Sequence, residues 1–198
     1  MERDADMCRR SDFYLGWKMI GTDSVIWAYL PLCHRRFIRI SLHRMCDHYV
    51  PKLDAALHAL RTEDVWRTES GHANSIGGIV LHIGEHVQRH IERYSNPGHA
   101  AAGGIENYFP DEGIEVNELR GRTAKTFGEW KRLISRYGAG ELDVERLDMA
   151  DVYHLVEHTG YHLGQIIDRA QRLSGARFQF MQGGINERNL MKLLANEK

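Results

Sequence analysis

The sequence predicts an all-α protein: a four-helix bundle with an N-terminal extension over residues 1–35 and a short helix near the C-terminus. Apolar residues recur at spacings of three and four through four long segments. No clear period-two segment lies between them, and capping or breaking residues bound the segments.

The first helix is expected over residues 36–60, where Ile38, Leu42, Met45, Tyr49, Leu53, Leu57 and Leu60 form one stripe. Pro51 should kink or divide it, because proline lacks a backbone donor and crowds the preceding turn. The second helix starts at Asn74 or Ser75, either able to cap it, carries Ile76, Val80, Ile83, Val87 and Ile91, and breaks at Asn96, Pro97 and Gly98. Residues 99–113 form a loop long enough to suggest a lid or binding loop. The third helix, 115–137, presents Val116, Leu119, Phe127, Trp130, Leu133 and Tyr137 and stops at Gly138, Ala139 and Gly140. The fourth, 148–174, presents Val152, Val156, Thr159, Leu163, Ile166, Ala170 and Leu173, with Gly175 ending it. Residues 185–195 form the short C-terminal helix. In the N-terminal extension, Trp17, Trp27 and Tyr29 are expected to pack on the bundle or build a dimer contact.

Composition narrows the function. A chain of 198 residues with 42% hydrophobic residues fits one domain with a genuine core. Its net charge of −1 provides no summed field for nucleic acid or an anionic membrane. Arg89, Arg93, Arg120, Arg122, Arg132 and Arg136 are interleaved with acids and read as solvated helix faces. The uncharged run 24–33 falls well short of the ~20 residues that span a bilayer, and it contains Pro31. No secretory signal is evident, and Cys8, Cys33 and Cys46 form no CxxC pair. Cytoplasm is therefore the expected compartment.

The pattern His-x-x-Glu-His-x-x-x-His occurs twice, at His82, His86 and His90 and again at His154, His158 and His162. Residues four apart share a helix face, so two such imidazoles can converge on one ion. Each histidine of the first set precedes a core-stripe residue, Ile83, Val87 or Ile91, which places it beside the face that meets the other helices. The remaining histidines, His34, His43, His48, His58, His72 and His99, read as half-exposed polar residues. In an up-down order the second and fourth helices run parallel, and counted from the caps His86 then competes with His82 for the level of His158 and His162. His82, Glu85 and His86 also spell the HxxEH of inverted zinc peptidases, a weak signal in so short a pattern. Glu85 and Glu157 are better read as carboxylates that orient an imidazole.

Asn74-Ser75-Ile76 with Leu81-His82, followed by His158-Thr159-Gly160-Tyr161-His162-Leu163-Gly164-Gln165, resembles the DinB-like family of small bacterial metal-binding four-helix proteins. The resemblance implies a domain over 36–198, a homodimer, and a divalent ion on His82, His158 and His162 with water in the remaining position. It does not carry Glu85, His86, Glu157 or Gln165 over as ligands. Zinc or nickel is the expected ion, with iron or manganese as further candidates. An ion held by neutral imidazoles keeps its double charge, so it would acidify a bound water or capture a thiolate. The expected function is a metal-dependent enzyme acting on a small molecule, either a hydrolase or a thiol S-transferase that uses a low-molecular-weight thiol. The alternative is a metal-holding stress-response protein without turnover.

Overall fold

The computed structural model describes residues 23–68, 70–71, 73–96, 104–180 and 187–196; it is all-helical, with no strand among them. Cys8, Trp17, His72, His99 and the side chains of Trp27 and Tyr29 lie outside the described residues. The helices are α1 (Asp23–Leu42), α2 (Val50–His58), α3 (Thr62–Trp66), α4 (Ile76–Ser95), α5 (Val116–Ala139), α6 (Met149–Ser174) and α7 (Glu187–Asn196). No helix of these residues is long and apolar enough to cross a membrane.

The first expected helix begins earlier than its apolar stripe, since α1 starts at Asp23 and continues through Pro31. The divided first helix has a physical form. A π-helical turn, His43–Tyr49, joins α1 to α2, and the Val50 N–H reaches the carbonyl of Met45. That widened turn sits just before Pro51 and gives its ring room beside the preceding turn while the axis continues.

The local caps follow sequence chemistry. Ser75 accepts from the Gly78 N–H at the start of α4, and Asp148 accepts from the Ala150 N–H at the start of α6. Gly140 and Gly175 end α5 and α6 at φ of 77° and 70°, where a side chain would crowd the backbone. Thr62 of α3 reaches across to cap α5, its hydroxyl accepting from the Val116 N–H and donating to Glu115.

Contacts between helices fix their relative directions. Along α4 and α6, Arg169 reaches the Asn74 carbonyl, His82 faces His162, His86 faces His158, and Tyr94 donates to Asp151. Numbers fall along α6 as they rise along α4, so these two helices are antiparallel, contrary to the parallel arrangement expected from an up-down order. Along α4 and α5 the numbers rise together, His90 with Trp130 and Tyr94 with Tyr137, so that pair is parallel. Parallel neighbours require a connection that returns along the helices, and the long segment between Ser95 and Val116 supplies it. Helices α1 and α2 run antiparallel to α5, with Asp54 paired to Arg120 and Asp47 to Lys131.

Ile38, Leu57, Ile79, Ile83, Val87, Leu119, Phe127, Trp130, Ile134, Val152 and Ile166 form the centre of the buried core. Helix α7 docks on α1, where Arg39 donates to the Leu194 carbonyl in its last turn (2.8 Å). The interleaved arginines pair with acids: Arg89 with Glu85, Arg93 with Asp151, Arg120 with Asp54, and Arg122 with Glu112 and Glu118.

Candidate metal centre

Helices α4 and α6 present their histidines to each other. Ligand atoms of His82, His86 and His158 lie within 4.8 Å of one another, forming a group that could hold a metal ion. His162 stands beside them, its ring centroid 5.0 Å from that of His82 and 4.5 Å from that of His158. Tyr49 packs against Gly160, between His158 and His162, where a Cβ would come within 2.9 Å of the Tyr49 hydroxyl.

His82 is buried, and its tautomer is fixed. Nδ1 lies 3.1 Å from the Tyr108 carbonyl, which can only accept, so Nδ1 carries the proton and Nε2 presents its lone pair. That Nε2 is 3.0 Å from Nε2 of His158. Two imidazole nitrogens this close need a proton or a cation between them. A metal about 2.0–2.1 Å from each would see them at roughly a right angle, within ordinary coordination geometry. At His162, Nδ1 lies 2.9 Å from the Gln165 side-chain oxygen, so Nε2 is again the lone-pair nitrogen.

Residues 104–115 cover one side of this cluster. Phe109 stacks on His82, with centroids 4.2 Å apart and an interplanar angle of 23°. Two glycines let this cover and its support approach α4. A Cβ on Gly77 would fall within 2.7 Å of the Trp66 ring, and one on Gly78 within 3.3 Å of the Phe109 and Pro110 carbonyls. Trp66 in turn donates to the Ile114 carbonyl and anchors the far end of the segment. Of the loop expected over 99–113, the described part, 104–113, lies against the site, and its backbone supplies the Tyr108 carbonyl, a contact no residue pattern announces.

Burial disfavours the charged form of His82, His86 and His158. The Nε2–Nε2 pair sits where desolvation, aided by neighbouring histidines, pushes His158 down to about 3 and His86 down to about 4, with His82 also lowered. Near neutral pH these rings offer lone pairs to a metal without first losing a proton.

Other expectations meet different surroundings. Glu85 accepts from Arg89 at 2.7 Å and Glu157 is exposed, and the rings take their hydrogen bonds from Tyr108 and Gln165 instead. His43 is buried rather than half-exposed, and Asp47 one turn on meets its Nδ1 at 2.6 Å. Burial pushes the Cys46 thiol up to about 12, which disfavours its thiolate near neutral pH.

His90 is a core histidine. The Trp130 indole donates to its Nδ1 (3.2 Å), which places the proton on Nε2, a buried atom without a hydrogen-bond partner. Burial lowers its pKa from 6.5 to about 4. Between those values the unfolded chain binds a proton that the folded chain refuses, so stability falls as pH falls through this window and is fully present above it. His90→Gln is expected to be less sensitive to acid than wild type by about 3 kcal/mol at the low end. Urea denaturation of both proteins at pH 7 and pH 4.5 measures the difference.

No protein-family model matches the chain, and no curated protein or solved structure shows significant similarity to it.

Proposed function

We propose that this chain is a DinB-like four-helix bundle that binds one divalent ion on His82, His158 and His162 and acts as a metal-dependent enzyme on a small molecule. The reading rests chiefly on one observation: the His82 lone pair, fixed by Tyr108, meets Nε2 of His158 at 3.0 Å. Ring spacings support the third ligand. Imidazoles sharing an ion with nitrogen–metal bonds of about 2.0–2.1 Å have centroids roughly 4.5–5.2 Å apart. The three separations here are 4.9, 5.0 and 4.5 Å. His86 lies closer to His158, at 4.0 Å, a spacing better suited to packed rings.

Three neutral ligands leave the ion its charge and a coordination position. When bound, it would supply Lewis acidity for hydrolysis or hold a low-molecular-weight thiol as thiolate. The chain's own part is to hold the imidazole tautomers through Tyr108 and Gln165 and to shield one side of the site with Phe109. We read zinc or nickel as the ion, a homodimer as the assembly and the cytoplasm as the compartment, without a nucleic-acid partner.

The thiol reading is tested with cobalt-substituted protein. A change in the cobalt absorption on adding millimolar thiol supports S-transfer, while an unchanged spectrum leaves hydrolysis as the surviving enzymatic reading. Gln165→Leu is expected to weaken metal affinity about 10–100-fold by releasing His162, measured by chelator competition. Unaltered affinity would remove His162 from the ligand set.

A second reading follows from the position of His86 within 4.8 Å of the His82 and His158 ligand atoms. As a fourth ligand it would close the site and make the chain a metal-holding protein without turnover.

A further inference from the structure

Antiparallel pairing of two His-x-x-x-His-x-x-x-His stripes sets histidines opposite one another in successive levels along α4 and α6. The levels of His82 with His162 and of His86 with His158 supply the ligands assigned above, and at the next level Trp130 draws His90 into the core, away from His154. His86 and His154 remain, half-buried and exposed respectively, with no role in that reading.

Their ring centroids are 6.1 Å apart, and His154 lies 5.7 Å from His158. Two imidazoles sharing an ion at the angles used above have centroids roughly 4.5–5.2 Å apart, so this pair stands about 1 Å beyond bridging distance. An exposed ring such as His154 has rotamers through which to approach its partner.

We propose that His86 and His154 form a second, outer position for a divalent ion of the imidazole-preferring kind, such as zinc, nickel or cobalt, on the solvent side of the inner site. This inference rests on the inner set being His82, His158 and His162. Two protein nitrogens hold an ion less tightly than three, and the charge of an inner ion opposes a second nearby. The outer position therefore fills after the inner one at equilibrium, and on loading it is the first histidine pair an incoming ion meets.

The test is calorimetric titration of nickel into the metal-free, untagged full chain. Wild type is expected to take two equivalents, the second at least about tenfold weaker than the first. His154→Ala, altered at an exposed position, should take one equivalent with the first affinity unchanged, and His86→Ala should behave alike. Saturation of wild type at one equivalent, two equivalents in His154→Ala, or loss of the tight equivalent in His86→Ala would each overturn the outer position. If wild type takes up no ion, the inner site fails as well, which separates the two failures.

Discussion

Replacing His82 by alanine is expected to weaken divalent-metal binding more than about 100-fold, because loss of a residue that merely orients a ligand already costs 10–100-fold and in the proposed site His82 is a ligand. The effect should exceed that of any other single histidine. His82 is the most enclosed of the clustered rings, and its tautomer is set by a backbone carbonyl that side-chain substitution does not remove. Removing it also leaves His158 Nε2 without its neighbour at 3.0 Å, in surroundings that disfavour protonation. Chelator competition on wild type and variant at pH 7 gives the ratio directly, and circular dichroism checks that the variant keeps its helices.

Trp130→Ala should have the largest effect on stability. The side chain is fully buried between α4 and α5, and truncating such a residue typically costs about 3–5 kcal/mol, from lost burial and the cavity left behind. The indole also donates to Nδ1 of His90, so truncation strands a second buried nitrogen on that ring at a further cost of about 1–3 kcal/mol. Together these approach the whole stability of an ordinary domain. Trp130→Phe keeps most of the volume and loses the donor, so it should cost only the smaller part. The midpoints of urea unfolding rank the three proteins, and equal midpoints for Phe and wild type would show that the bond to His90 contributes nothing.

The elements were legible because their signals are local. Ser75, Asp148, Gly140 and Gly175 announce helix ends through chemistry confined to one turn, and the apolar stripes of α4, α5 and α6 appear as buried faces. The start of α1 was not legible, since the mixed composition around Pro31 offers no stripe to extend. Relative helix direction was misread for a physical reason. Direction depends on contacts between distant residues such as Arg93 with Asp151, and the default up-down order set the second and fourth helices parallel. The length of the segment after Ser95 was the available clue, because a short turn can only join antiparallel neighbours.

At the site, spacing four apart brought His82, His86, His158 and His162 to notice, and the structure gathers them between α4 and α6. What spacing could not give was each ring's partner. His90 obeys the same spacing as His82 and His86 but faces Trp130, and only the rotation of α4 against α5 decides that. The carbonyl that fixes His82 comes from loop backbone, which carries no residue signature.

The most direct measurement is the metal content per chain of untagged protein by elemental mass spectrometry, after supply of zinc or nickel and removal of loosely held ions. The proteins compared are wild type, His82→Ala, His86→Ala, His158→Ala and His162→Ala. The expected result is about one retained equivalent in wild type and His86→Ala and almost none in the other three. Wild type without retained metal would contradict the central claim, and loss in His86→Ala with retention in His162→Ala would move the site to the His82, His86 and His158 group.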